Sequence, residues 1–231
     1  MNNIKLYLDT ADIKTILKLS KNSDIKGITT NPSLMKKNNI KSYKNFIELL
    51  CKKISKPISF EIFADNDKEI YNQALKISKF SKNIYVKIPI VNSKGKSLNK
   101  VIKKISNEKI KVNITAVFTY EQFKQAHSAI NSSTKSIISI FAGRIADTGR
   151  DPIKLIKKCA RYKKKKNIEI LWASTREYLN IFQAKNSNCE IITVTPDIYL
   201  KKKLRNYNLK KYSIDTSKMF FDDAKKLNLK I

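Results

Sequence analysis

Eight short runs rich in β-branched and aromatic residues recur along this chain, each followed by a segment of helical character. They lie at residues 4–10, 26–30, 58–64, 84–91, 111–118, 136–142, 168–174 and 191–196. Strands alternating with helical segments indicate βαβ units and a parallel sheet. No Gly/Ser-rich linker or low-complexity stretch interrupts the alternation. Residues 11–22 put Ile13, Ile16, Leu17 and Leu19 on or near one stripe. Residues 151–162 open with an Asp cap and a Pro at the first helical position. Eight such repeats in 231 residues predict a single α/β domain over residues 1–231, a (β/α)8 TIM barrel rather than an open sheet. The stretch at about 214–229 reads as an extra C-terminal helix.

A barrel carries its reactive residues at the C-terminal ends of strands and points every second residue inward. Ser59 and Glu61, Asn113 and Thr115, Ser139 and Phe141, and Trp172 and Ser174 are each spaced by two, and Asp9 ends the first run. Buried polar groups must all find partners, so a core built for stability alone does not need Asp, Glu, Lys, Asn and Thr at such places. Polar side chains converging from several strands mark a site.

The fourth run, "NIYVKIPIV", sets Lys87 among Tyr85, Val86, Ile88, Pro89 and Ile90. A lysine in water is almost wholly protonated at neutral pH, and desolvation favours the neutral amine. A neutral amine attacks carbonyls and forms Schiff bases, whose iminium weakens a neighbouring C–C bond. Spacing alone leaves two readings open: a Schiff-base nucleophile, or a structural lysine paired with Glu61 or Asp9.

Other chemistries are disfavoured by composition. The three cysteines, Cys51, Cys159 and Cys189, are far apart with no CxxC, which argues against a disulfide framework and a cysteine zinc site. The single histidine, His127, falls in an expected helix and reads as structural or exposed. Neither a metal site nor a cofactor is expected. No stretch reaches the roughly 18 apolar residues of a membrane span, and the N-terminus lacks the features of a signal peptide. A soluble cytoplasmic protein is the expectation.

The formal charge of +29 invites a nucleic-acid reading. Only five of the 48 basic residues are arginine, however, and the lysines are scattered. The one dense run, "RYKKKKN" at 161–167, reads as a solvated surface turn between a helix and a strand. Such a field attracts anionic small molecules and binds polyanions without sequence preference.

Five segments, in order, carry a resemblance: "KGITTNPSL" at 26–34, "YVKIPI" at 85–90, "VNITAVFT" at 112–119, "SIFAGRIADTG" at 139–149 and "WASTRE" at 172–177. Together they resemble the transaldolase family, which includes the small transaldolases and the fructose-6-phosphate aldolases. The resemblance runs from "YLDTAD" at 7–12 to "ITVTPD" at 192–197. It implies a (β/α)8 barrel with a Schiff-base lysine on the fourth strand, at Lys87. It further implies Asp9 as the acid/base carboxylate, and Glu61 with Thr115 as the pair that moves protons through a trapped water. Asn31 and Asn113 would hold the dihydroxyacetone hydroxyls, Ser139 and Phe141 would line the middle of the pocket, and Arg144, Ser174 and Arg176 would hold phosphate. Asp147, Gly149, Arg150, Asp151 and Pro152 are expected only to shape a loop and start a helix.

The same scaffold supports a transaldolase, which passes a dihydroxyacetone unit from a ketose phosphate to an aldose phosphate, and an aldolase, which releases dihydroxyacetone. In the family, Glu plus Phe at the positions of Glu61 and Phe141 resembles the transferase side, and Gln plus Tyr the aldolase side. A phenyl ring cannot donate a proton as a phenol can, so transfer is the expected outcome. The partners implied are sugar phosphates, with no specific nucleic acid and no membrane. The chain has the length of the small members, some of which assemble into rings, so a homo-oligomer is also implied. Thr175 departs from the pattern, which expects an aromatic residue there. A reading of another class, a basic barrel that binds RNA or anionic surfaces with a degenerate site, stays open.

Overall fold

The computed structural model of the protein describes residues 4–227. Its strands are β1 (Lys5–Asp9), β2 (Ile25–Thr29), β3 (Ile58–Glu61), β4 (Ile84–Pro89), β5 (Val112–Val117), β6 (Ser136–Ile140), β7 (Ile168–Trp172) and β8 (Ile191–Val194). Each pairs in parallel with the next, and β8 pairs back onto β1, closing the barrel. Around it run α1 (Ile13–Leu19), α2 (Pro32–Lys37), α3 (Tyr43–Lys53), α4 (Asp67–Ser78), α5 (Asn99–Asn107), α6 (Tyr120–Ala129), α7 (Ala142–Ala146), α8 (Pro152–Tyr162), α9 (Asn180–Asn186) and α10 (Pro196–Leu200). The predicted fold class is the observed one, with Lys87 on the fourth strand.

Strand parity sorts the core into two layers. Outward residues such as Leu8, Ile28, Phe60, Val86, Ile88 and Ile138 are fully buried against the helices. Each such burial stabilises the fold by about 1.5–3 kcal/mol. Inward residues Tyr7, Tyr85, Ile137, Leu171 and Ile191 fill the lower barrel. Gly27 faces Tyr7 so closely that a Cβ would lie 2.5 Å from the ring, so only glycine fits. Inward residues two positions further along these strands are polar or small: Asp9, Thr29, Lys87, Ser139, Ala173 and Thr193. The apolar layer is therefore the floor on which the polar one stands.

The strands stop short of the apolar runs. Phe141, expected inside a strand, is the residue that leads into α7, at φ −80° and ψ 60°. Ser174 lies past the end of β7 in the left-handed region, with φ 63°. The expected inward pair Trp172 and Ser174 is a misreading, because Leu171 and Ala173 hold the inward positions and Trp172 packs outward against the helix layer.

The "RYKKKKN" run also departs from expectation. Lys164 and Lys166 are exposed, but Lys163 pairs with Glu190, and Lys165 Nζ donates to the carbonyls of His127 (2.8 Å) and Ile130 (2.6 Å). Two of its lysines thus tie neighbouring elements together. His127 is buried among Phe123 and Tyr162, away from the barrel interior, as the structural reading expected. The C-terminal helix α11 (Leu209–Lys226) starts earlier than expected, capped by the Asn208 side chain accepting from Lys211 N at 3.0 Å. Residues 228–229 of that expectation lie outside the described residues. No side chain of α11 is buried. Among the described residues, no helix is long and apolar enough to cross a membrane.

Candidate active site

At the C-terminal ends of the strands a cavity of about 480 Å³ opens. Lys87 stands at its base, 6% exposed. Its register neighbours are Glu61 on β3 and Asn113 on β4's other side, on β5. Its Nζ lies 3.0 Å from Glu61 Oε2 and donates to the Thr30 carbonyl at 3.1 Å. Both readings of Lys87 thus hold as geometry: the amine is ion-paired, and it faces a cavity of substrate size. Val86 and Ile88 point away from it into the helix layer, so the amine's surroundings are polar rather than apolar.

Asp9 ends β1 beside Thr29 of β2, whose hydroxyl donates to Asp9 Oδ1 at 2.7 Å. Burial raises the pKa of Asp9, and the charge of Glu61 adds to that, while Lys87 and the Thr29 hydrogen bond pull it back down. Asp9 does not cap α1. That work falls to Asp12, which accepts from Thr15 N at 2.7 Å. Asp9 is therefore free to face the cavity that it lines.

Thr115 also lines the cavity, and its buried hydroxyl has no hydrogen-bond partner among the described residues. The next residue, Ala116, takes the left-handed conformation (φ 55°), and the register of β5 against β6 shifts there. A bulge of this kind re-aims side chains at a barrel rim. Asn31 both caps α2, accepting from Leu34 N at 2.9 Å, and lines the cavity. Asn113 alone of the expected site residues does not reach the cavity wall. It is fully buried, donating to Ser59 Oγ at 3.0 Å and accepting from Ser139 Oγ at 2.6 Å. It braces Ser139, which does line the wall.

The cavity's mouth is built from α7 and the loop after β7. Phe141, Arg144, Ser174 and Arg176 line it. The Arg144 guanidinium lies 5.6 Å from the centroid of the Phe141 ring, within cation–π range. The two segments touch at Gly143, whose N–H donates to the Ala173 carbonyl at 3.3 Å. A Cβ on Gly143 would sit 1.5 Å from the Ser174 carbonyl oxygen, so this approach needs glycine. Holding Ser174 in the left-handed region costs about 1–2 kcal/mol. No glycine marks that turn in residues 172–177.

Asp147 does more than shape a loop. Its carboxylate receives two hydrogen bonds from Arg176, from Nε to Oδ1 at 3.0 Å and from a terminal nitrogen to Oδ2 at 2.5 Å. Those bonds hold the Asp147 carboxyl below the usual range. Thr175, the departure from the family pattern, lines the cavity, as do Thr29 and Thr193, which were not singled out from sequence although they occupy the inward positions that strand parity marks.

Known proteins place this architecture. Solved structures share the fold at low identity: 3-hexulose-6-phosphate synthase from Salmonella typhimurium superposes with a TM-score of 0.58 at 14% identity, covering 83% of this chain and 89% of that one. A probable transaldolase of Clostridium perfringens is 31% identical over 94% of this chain and 99% of its own length. One from Clostridium kluyveri is 34% identical over 83% of this chain and 86% of its own. The family model described as Transaldolase/Fructose-6-phosphate aldolase matches residues 6–231, so the chain whose cavity holds Asp9, Glu61 and Lys87 belongs to that family.

Proposed function

We propose that the protein is a transaldolase that works through a Schiff base on Lys87. The observation that carries this reading is the placement of one buried amine, 3.0 Å from Glu61 and in the field of Asp9, at the base of a cavity with two arginines at its mouth. Lys87 Nζ attacks the C2 carbonyl of a ketose phosphate such as fructose 6-phosphate or sedoheptulose 7-phosphate. Glu61 and Thr115 move the protons that turn the carbinolamine into an iminium and water. Asp9 takes the proton of the C4 hydroxyl as the C3–C4 bond breaks, which leaves an aldose phosphate and a three-carbon enamine on Lys87. A carboxylate with a raised pKa suits this work, because proton transfer is most effective when the base lies near the working pH. The enamine then attacks the aldehyde carbon of an acceptor, Asp9 returns the proton, and water releases the new ketose phosphate.

Arg144 and Arg176 suit the phosphate because guanidinium forks match its oxygens. Asn31 suits the hydroxyls of the dihydroxyacetone unit, and Asn113, beneath the wall, would act on them through Ser139, which donates to it. The cavity lining holds no tyrosine among the described residues, and Phe141 stacks against Phe118 with centroids 5.6 Å apart. With no phenol to protonate the enamine, transfer is favoured over release of dihydroxyacetone. The test is a turnover assay on fructose 6-phosphate with and without erythrose 4-phosphate. Transfer predicts product formation that depends on the acceptor. Rapid release of free dihydroxyacetone without acceptor identifies an aldolase instead.

A further inference from the structure

The barrel carries a chain of hydroxyls behind Asp9 whose direction follows from counting protons. Thr29 Oγ1 donates its single proton to Asp9 Oδ1 at 2.7 Å. The same oxygen lies 2.5 Å from Thr193 Oγ1. A threonine hydroxyl has one proton to give, so with Asp9 ionised, as the acid/base reading requires of it as a base, Thr193 donates in this second contact and Thr29 accepts. The chain therefore runs one way, from Thr193 on β8 through Thr29 on β2 to Asp9 on β1. Thr29 and Thr193 are 2% and 4% exposed, so water competes little for these bonds. At its far end, the Thr193 carbonyl accepts from Thr175 Oγ1 at 2.6 Å, and Thr175 sits between Ser174 and Arg176.

We propose that Thr29 and Thr193 are positioning residues for the acid/base step, holding Asp9 by one carboxylate oxygen so that the other faces the reacting hydroxyl. The proposal rests on the reading of Asp9 as that acid/base group. A carboxylate on a strand end can rotate about its side-chain torsions, and a donor fixed on the neighbouring strand removes that freedom. Each donor in a one-way chain also strengthens the next. The charged groups facing Asp9 are Lys87 from β4 and Glu61 from β3, and neither replaces the Thr29 bond. Thr175 anchors the end of β8 to the loop of the phosphate-binding end, which gives this departure from the family pattern a structural use.

Three variants test the proposal: Thr29→Val, Thr29→Ser and Thr193→Val. Thr29→Val keeps the shape and removes the donor. Its kcat should fall by about 10–100-fold, the worth of one hydrogen bond to a charged group, with KM within about twofold of the parent. The acid limb of its pH profile should move to higher pH, because the carboxylate has lost a bond that favours its charged form. Thr29→Ser should restore both. Thr193→Val should move both readouts the same way by less. Borohydride trapping of donor on Lys87 should be unchanged in all three. A second readout does not depend on turnover. The carboxyl carbon-13 resonance of Asp9, assigned by its loss in Asp9→Asn, should titrate at higher pH in Thr29→Val than in the parent. If that titration and the kinetics of Thr29→Val match the parent, or if Thr29→Ser behaves like Thr29→Val, the positioning role is wrong. Should Thr29→Val fail to fold, an unmoved Asp9 titration in Thr193→Val overturns the one-way chain. A parent protein with no turnover and no adduct removes the catalytic reading alone, and the Asp9 titration still decides the hydrogen-bond chain.

Discussion

At the base of the cavity, Lys87 on β4 and Glu61 on β3 are register partners, and Asp9 ends β1 of the same closed sheet. At its mouth, Arg144 stands on a five-residue helix and Ser174 and Arg176 on a loop. The ion pair at the base involves side chains 7% and 16% exposed, whereas the Arg176–Asp147 pair at the mouth is about half exposed on both sides. Solvent screens the second pair and leaves the first strong. On the proposed roles, the groups that make and break bonds sit on strands held by the closed sheet, and the groups that hold phosphate, both arginines exposed, sit on a short helix and a loop.

The largest expected effect breaks the base itself. Lys87→Met should abolish turnover while thermal unfolding stays cooperative, measured by kinetics and circular dichroism on the same sample. Next, Asp9→Asn should lower kcat by about 10²–10⁴-fold. It should also change how stability depends on pH. Because the folded-state pKa of Asp9 is raised, the native protein keeps that proton to higher pH than the unfolded chain. Stability then falls as pH rises from the ordinary carboxylate range through the raised value. Asp9→Asn removes that fall, so melting curves at neutral pH should show the variant more stable than the parent.

Changes at the mouth should be smaller and of another kind. Arg176→Ala should raise KM for phosphorylated sugars by about 10–100-fold, the worth of charged hydrogen bonds, with kcat less affected. Gly143→Ala pushes a methyl group into the Ser174 carbonyl and should destabilise the protein by about 1–3 kcal/mol. Denaturant titration measures this. The smallest effect is a change of partition. Phe141→Tyr introduces a phenol beside the enamine and should raise the share of free dihydroxyacetone severalfold. An unchanged partition means that the missing phenol does not explain transfer.

The sequence made the base of the cavity legible and the mouth only in part, for a physical reason. Extended backbone alternates faces, so Glu61, Lys87, Thr115 and Ser139 could be read by parity. That rule ends where the chain leaves the extended region. Ala116 and Ser174 turn left-handed without a glycine to announce it, and the pairing of Trp172 with Ser174 failed there. Asn113 obeyed parity yet lies beneath the wall, because depth along a tilted strand is not written in the alternation. The Asp147–Arg176 pair joins residues 29 positions apart, which spacing does not reveal. The roles of the site residues came from the family resemblance and not from periodicity.

Whether Lys87 forms the Schiff base is decided by borohydride reduction in the presence of fructose 6-phosphate, followed by mass mapping of the peptide around Lys87. One reduced three-carbon or six-carbon adduct should form, carried by Lys87 and absent from Lys87→Met. An adduct on another lysine, or none from a protein that turns over the sugar, contradicts that role for Lys87.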